Sequence, residues 1–405
     1  MSVLWRDAMS RALYGPGGFF VAGTGPADHF RTSTHATPAF ATALLRLITE
    51  VDAALGHPDR LDVVDVGAGR GELIHALLAS VGVAVGVSGA AARSLRDEPS
   101  SGTVRPSLAD RVRFTAVEYA DRPENLSEEI NWTAEIPTKI TGVLLATEWL
   151  DNVPLDVAVH TEDGWRYLLV DPESGAESVG EPVSPADLDW LTTWWPSLET
   201  APSTDRAPNP GVTWADATSD SESGFGAARP AQGSSLTARS RPGCPETPHS
   251  NQQRAEIGRT RDEAWAQAVR NISRGLAVAV DYGHLREARP VDGTLTGYRG
   301  GRQVPPVPDG SSDVTAHVAM DSVASAGAAV ARCAYSLVLQ REALRTLGAD
   351  GGRPPLSLAG TDPVGYVRAL AAASAVAELT DPAGLGGHWW LRQPVGIPLG
   401  PAVAR

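Results

Sequence analysis

The sequence is poor in residues that several protein classes require. It has two cysteines, Cys244 and Cys333, too few for a disulfide framework. Its nine histidines and two cysteines form no HExxH or CxxC spacing, so no metal site is expected. No apolar run reaches the ~18 residues that a bilayer span needs, so membrane insertion is not expected. The opening stretch, Met1–Gly18, lacks the apolar core of a signal peptide. Positive charge is scarce and almost all arginine. Lys139 is the only lysine, and 34 Lys+Arg against 48 Asp+Glu leave a net charge of −14. A nonspecific nucleic-acid binder needs basic surface to displace counterions, so that class is excluded. These absences together describe a soluble cytoplasmic protein.

What is present suffices for a real core. The chain has 405 residues, 42% of them hydrophobic, which allows two or three domains or one elaborated α/β domain. One composition shift divides it. Residues 201–250 hold seven prolines, eight serines and five glycines, with only Val212 and Leu236 as aliphatics apart from alanine. Such a segment cannot bury enough apolar surface to offset its ordering entropy, and it reads as a disordered insertion in a surface loop, bounded as 201–253. The remaining divisions are an N-terminal segment over 1–60, a first core block over 61–200, a second over 254–350, and a C-terminal unit over 351–405. Arg299–Ser312 reads as a Gly/Pro-rich loop, and Gly351–Pro355 as the break before the last unit. Removing the insertion leaves one elaborated domain as the better estimate.

The ordered blocks alternate strand and helix. Leu61–Val66 is a short apolar run that ends in glycines, as a buried parallel strand would. Glu72–Val81 follows with helical spacing of Leu73, Leu77 and Leu78. Val83–Val87, Val112–Tyr119, Gly142–Thr147 and Gly275–Tyr282 read as further strands. Asp156–His160 and Trp165–Val170 flank Glu162-Asp163-Gly164 and read as a hairpin. Ser184-Pro185 and Asp362-Pro363 each pair an N-cap residue with proline at the first helical position, and each opens a helix. Strands near Ala331–Leu339 or His388–Arg392 would complete the core. This alternation implies a mostly parallel sheet covered on both faces.

The most informative motif is Asp65-Val66-Gly67-Ala68-Gly69-Arg70-Gly71. It leaves a strand and opens a helix. Its glycines allow a tight turn and close backbone approach, and the helix N-terminus adds free N–H donors. A dinucleotide site would usually read G-x-G-x-x-G. Here the spacing is G-x-G-x-G, with an acid two residues before the first glycine. That suits S-adenosylmethionine (SAM), which lacks phosphate and carries an ammonium that an acid can hold. A tight turn with no ligand is the bland alternative.

A second constellation is Thr147-Glu148-Trp149-Leu150-Asp151-Asn152-Val153-Pro154. An apolar strand runs directly into two carboxylates and an amide. In a doubly wound sheet the C-terminal strand ends line the ligand crevice, which puts Glu148 and Asp151 at its mouth. Carboxylates there can orient a cationic acceptor, and a guanidinium suits them because its donors form a fixed fork. A solvated loop with helix-capping acids fits the spacing equally well.

With these blocks in view, the chain resembles the MidA-like family of SAM-dependent methyltransferases, relatives of the mitochondrial arginine methyltransferase that assists respiratory complex I assembly. The resemblance rests on ordered blocks across about residues 8–350. They are Ala12-Leu13-Tyr14-Gly15-Pro16, Phe30-Arg31-Thr32-Ser33, the glycine turn, Glu148–Pro154, Ala255-Glu256-Ile257, Asp281-Tyr282-Gly283-His284, Asp313–His317 and Gln340–Leu344. It implies a Rossmann-like class I methyltransferase core with family-specific insertions, and SAM as cofactor. Asp65, Gly67, Gly69, Gly71, Thr32 and Ser33 would hold SAM, the last two from a lid. Glu148 and Asp151 would be catalytic, orienting the acceptor. Tyr282, His284, Asp313 and His317 would line the acceptor side. For these four the plain alternatives are ordinary core, a hydrogen-bonded structural histidine and a helix cap. The acceptor implied is a protein arginine, with respiratory-complex subunits as first candidates, and a homodimer is compatible with this reading.

The chain departs from the family pattern at three points. Asp28-His29-Phe30 stands where Gly-Asp-Phe is usual, and Thr147-Glu148 where Asn-Glu is usual. The acid expected at the end of the second strand, where it grips the SAM ribose, is missing from Val85-Gly86-Val87-Ser88-Gly89. Ser88, or Glu118 after the next strand, would have to replace it. This gap favours a rival reading, a non-enzymatic assembly protein that retains the fold. A dinucleotide-dependent dehydrogenase is the other rival.

Overall fold

The protein is described here by a computed structural model over residues 1–22, 38–93, 106–195, 253–349 and 351–398, the side chains of 83–93 excepted. Thr32, Ser33 and all of the proposed insertion except Gln253 lie outside the described residues.

The fold is mixed α/β, built on a seven-stranded sheet. In chain order its strands begin after a short β1 (Val3–Leu4) of a second sheet. They are β2 (Leu61–Val66), β3 (Val112–Val117), β4 (Ile130–Thr133) and β5 (Ile140–Thr147), and then, after the second sheet's remaining strands β6 (Asp156–Thr161), β7 (Gly164–Val170), β8 (Glu177–Pro182) and β9 (Arg254–Ile257), β10 (Ile272–Asp281). Four short strands follow: β11 (Gly283–His284), β12 (Thr296–Arg299), β13 (Arg302–Val304) and β14 (Asp313–Thr315). β15 (Val318–Ala319), β16 (Ser336–Leu339) and β17 (Trp389–Val395) close the series. The spatial order of the main sheet is β16-β17-β10-β5-β2-β3-β4. β4, β3, β2, β5 and β10 run parallel, whereas β17 lies antiparallel between β10 and β16. Both regions proposed to complete the core are therefore strands of this sheet.

The apolar character of these strands follows from burial on both faces. β2, β5 and β10 are almost continuously buried, as parallel strands covered by helices must be. On one face lies the helix Pro38–Ala54, which turns Phe40, Leu44, Leu47, Ile48 and Val51 inward. Their spacing of three and four residues puts them on one stripe. Each such side chain contributes about 1.5–3 kcal/mol over its exposed state. On the other face Trp265, Ala268, Val269, Met320 and Val323 pack from the helices Arg259–Arg270 and Met320–Ala331.

The second sheet, β1-β7-β6-β9 with β8 against β7, contains the expected hairpin. β6 and β7 pair antiparallel with Thr161 opposite Gly164. The helix Pro185–Trp194 starts as the sequence indicates: Pro185 follows Ser184, whose side chain accepts from the Asp187 N–H at 3.2 Å. The helix Pro363–Thr380 is capped likewise by Asp362 on the Gly365 N–H at 2.9 Å.

Two expectations are corrected. Val83–Val87 is not a strand. The helix that opens at Glu72 runs on to Arg93 and includes it. Val83, Val85 and Val87 alternate with the small Ala84 and Gly86, but a short apolar run fits strand and helix alike, and periodicity alone cannot separate the two. The strand beside β2 is β3, so the second strand of the sheet ends at Val117-Glu118. An acid does stand at that end; the apparent gap came from the wrong strand. The stretch Arg299–Ser312 is also not all loop. β13 pairs with β12, which pairs with β14, in a three-stranded antiparallel sheet.

Candidate active site

Five neighbouring strands deliver polar residues to one edge of the main sheet. Asp65 lies near the C-terminal end of β2, Glu118 follows β3, Glu148 follows β5, and Asp281 ends β10. β17 runs the other way, so its start, next to His388, reaches the same edge: Trp389 pairs with Asp281.

The glycine turn forms the first half of the site. Gly67, Gly69 and Gly71 have φ of 72°, 58° and 80°, the left-handed region that glycine enters without a Cβ penalty. A Cβ on Gly67 would lie 2.9 Å from Trp149 Cδ1, and one on Gly71 2.9 Å from Leu126 Cδ1. At Gly69 the nearest atom would be Glu72 Oε2 at 3.6 Å, so there the backbone is open on its outer side. The N–H of Gly69 donates to Glu118 Oε2 at 3.0 Å, and the Tyr119 N–H donates to Oε1 at 2.7 Å. The carboxylate after the second strand is thus held against the glycine turn. Burial raises its pKa, opposed by these backbone donors.

Asp65 is buried beneath this turn. Burial first, then the charges of Glu72 and Glu118, raise its pKa to about 8. A buried acid that lacks a cation takes up a proton instead. These residues fit SAM: a left-handed glycine turn with an open outer side, one acid for ribose hydroxyls, and one buried acid suited to an ammonium.

The second half of the site is an acid cluster. Glu148 itself adopts φ 51°, a conformation that non-glycine residues rarely hold outside constrained sites. Its backbone N–H donates to Val280 O at 2.7 Å, which locks the turn at the end of β5. Asp151 sits in the short 3₁₀ turn Leu150–Asn152. Its Oδ2 accepts from the hydroxyls of Tyr282 and Thr315, the latter at 2.8 Å. Its Oδ1 is buried without a hydrogen-bond partner. Burial raises its pKa, with the Tyr282 and Thr315 hydroxyls and the Arg261 charge opposing. Asn152 donates to Asp313 Oδ1 at 2.6 Å, so Asp313 is a buried strand residue tied to this turn and not a helix cap. Burial and the Asp151 charge push Asp313 well up.

Two residues missed in the sequence hold that turn in place. Asp281 Oδ2 accepts from the backbone N–H groups of Leu150 at 3.0 Å and Asp151 at 3.3 Å. Arg261, 1% exposed, donates to the carbonyls of Val153 at 3.1 Å, Ala316 at 3.0 Å, His317 at 3.0 Å and also Asp151. A planar fork is needed to serve four carbonyls from two loops at once. Arg261 lies four residues after the Ile257 that closes the Ala255-Glu256-Ile257 block, yet nothing in its spacing separates it from a surface arginine.

The histidines form the wall. The His317 ring lies 5.1 Å from the Tyr282 ring, and His388 lies 5.6 Å from Tyr282 on another side. His284 is one layer back, 6.3 Å from His317 and edge-on to Trp195 at 5.3 Å. Arg289 Nη1 meets His284 Nδ1 at 2.8 Å. An arginine can only donate, so Nδ1 accepts and the ring proton belongs on Nε2. Burial lowers the pKa of all three rings, His388 to about 4, so at neutral pH they are uncharged. The expected residues Tyr282, His317, Asp151 and Asp313 therefore converge, whereas His284 stands behind them. His388 carried no sequence signal beyond its place beside Trp389-Trp390.

Comparison with known proteins agrees with this site. A family model described as "Putative S-adenosyl-L-methionine-dependent methyltransferase" matches residues 43–337. The chain belongs to that family. It is a SAM-dependent methyltransferase, and SAM is its cofactor. Two solved structures from Burkholderia thailandensis share the fold. One is described as a "COG1565 superfamily member and likely methyl transferase" bound to S-adenosyl-homocysteine. It is 20% identical with a TM-score of 0.65, over 99% of this chain and 90% of that one. The other, the native structure of an uncharacterized COG1565 superfamily protein, is 20% identical with a TM-score of 0.64, over 100% of this chain and 90% of that one. Among curated proteins no match was found. The family assignment sets aside the dehydrogenase, and Glu118 removes the gap that favoured a non-enzymatic protein. No helix among the described residues is long and apolar enough to cross a membrane.

Proposed function

We propose that the protein transfers a methyl group from SAM to an arginine side chain of a protein acceptor, on a Rossmann-like class I core of the MidA-like type. The parallel strands with one antiparallel strand inserted next to last in the sheet support that core. The observation that carries the acceptor is the pair Glu148 and Asp151, set on one turn and backed by Asp281 and Asp313. The buried cation beside this cluster, Arg261, gives its hydrogen bonds to carbonyls. Such a site favours a cationic guest, and a guanidinium satisfies two carboxylates with its fork.

When bound, SAM supplies an electrophilic methyl group on a sulfonium. Asp65 would hold the ammonium of its amino-acid end, and Glu118 would accept from its ribose hydroxyls. Gly69 lets the backbone come close without a side chain in the way. Glu148 and Asp151 would hold the acceptor nitrogen in line with the methyl group and take the proton it loses as the N–C bond forms and the S–C bond breaks, the neutral thioether S-adenosyl-homocysteine being the product that leaves. Positioning and charge supply most of the rate for such a transfer. The uncharged histidines and Tyr282 exclude water from that side.

The test is mass spectrometry of proteins from a deletion strain, respiratory-complex subunits first. The expected result is methylarginine lost at a defined site and restored by purified enzyme with SAM. Unchanged arginine methylation, with loss of methylation on another residue type, would overturn the acceptor assignment.

A further inference from the structure

The Glu148 carboxylate has a neighbour that lies outside residues 43–337, the part matched by the family model. His388 precedes β17, and its Nδ1 lies 3.8 Å from Glu148 Oε1. Its side chain is 9% exposed and that of Glu148 11%. The Nδ1 atom is buried with no hydrogen-bond partner. An uncompensated buried nitrogen is costly, and its nearest acid is within a small side-chain adjustment of a hydrogen bond. The backbone of His388 cannot easily move away. Its N–H donates to Leu385 O at 3.1 Å and its carbonyl accepts from the Gln340 N–H at 2.7 Å. The ring is further held against Tyr282.

An uncharged imidazole offers one donor and one acceptor nitrogen. An ionised carboxylate can only accept, so with Glu148 ionised the pair is satisfied when the proton lies on Nδ1. We infer that His388 is a positioning residue of the active site: it donates Nδ1–H to Glu148 Oε1 and so turns the other carboxylate oxygen toward the acceptor. This rests on the reading of Glu148 as the acceptor-orienting acid, but the tautomer does not. It also means that the C-terminal unit completes the acceptor side of the site. The arrangement is opposite to that of His284, whose Nδ1 is taken by Arg289.

The test is nitrogen-15 NMR of the full chain with labelled histidine, His388 being assigned by its absence in His388→Asn. The expected result is an Nδ1-protonated ring in the wild-type protein. In Glu148→Ala the Nδ1–H form should fall at least about threefold relative to Nε2–H, because free imidazole has no such bias. Calorimetry should find SAM affinity in His388→Asn within about threefold of wild type. A wild-type Nε2–H ring, or a ratio unmoved by Glu148→Ala, would overturn the inference and leave the acceptor proposal standing. A tenfold loss of SAM affinity in His388→Asn would also overturn it, placing the residue on the cofactor side. If Glu148→Ala does not fold, the wild-type tautomer alone decides. Failure of the arginine assignment in the deletion strain would leave the tautomer result intact.

Discussion

Asp65 and Glu148 are both acids on the same sheet edge, but the proposed mechanism puts them on different sides of the reaction. Asp65→Ala removes the acid under the glycine turn, and SAM binding should fall about 10–150-fold by calorimetry, since a charge-assisted bond contributes about 1.5–3 kcal/mol. Glu148→Ala should leave SAM affinity within about threefold and abolish transfer. Equal loss of binding in both variants would refute this division. Asp65 also makes a pH prediction. Without ligand its pKa is about 8, and a bound ammonium lowers it. Binding therefore releases a proton below that pH, and SAM affinity should rise as pH increases toward about 8 and fall above it, where the SAM ammonium itself loses its proton. Asp65→Asn should flatten the profile. For the ligand-free fold the sign is reversed. The folded pKa lies above the unfolded value, so the contribution of Asp65 to stability is present at low pH and is lost as pH rises from about 4 to about 8. Glu118→Ala should weaken SAM by on the order of 10–100-fold through loss of the ribose acceptor, measured by the same calorimetry.

The turn Leu150–Asn152 is the element whose position the proposed chemistry depends on, and two buried side chains, Asp281 and Arg261, hold it. Arg261→Met removes all four carbonyl contacts from one side chain. Buried carbonyls left without donors make that change cost about 3–5 kcal/mol, which thermal unfolding would register as a clear drop in Tm. A Tm within 2 °C of wild type would show that the clamp does not act as described. At this scale the sequence was legible where local chemistry is strong. The caps at Ser184-Pro185 and Asp362-Pro363, the hairpin over Glu162-Asp163-Gly164 and the turn at Gly67–Gly71 each have a residue that only that geometry requires. Val83–Val87 was misread because an apolar run of five residues satisfies strand and helix alike. That one error hid Glu118, which was assigned to the next strand. Arg261, Asp281 and His388 were not legible as site residues, because their roles depend on contacts to parts of the chain 50 to more than 200 residues away.

For the molecule as a whole, the main sheet takes strands from both ends of the described chain. β2 begins at Leu61 and β17 ends at Val395. Deleting residues 351–405 would remove β17, split β16 from β10, and expose two long strand edges. The truncated chain should aggregate on expression and show no cooperative unfolding by circular dichroism, even though it retains the whole segment matched by the family model. A soluble, cooperatively folded truncation would contradict the sheet order described above. The acid balance also has a different weight at this scale. A net charge of −14 first served only to exclude nucleic acid. With the carboxyl groups gathered at one edge, the same balance would favour the approach of the cationic acceptor proposed above.

The antiparallel strand has a last consequence, in time. The ribosome delivers β17 after every other strand of the sheet, and β16, which among the described strands pairs with β17 alone, cannot join the sheet before it. Until it arrives, β10 and β16 have no partner for their facing edges, and the growing chain carries a gap where His388 will stand. Those unfinished edges are what a chaperone would recognise.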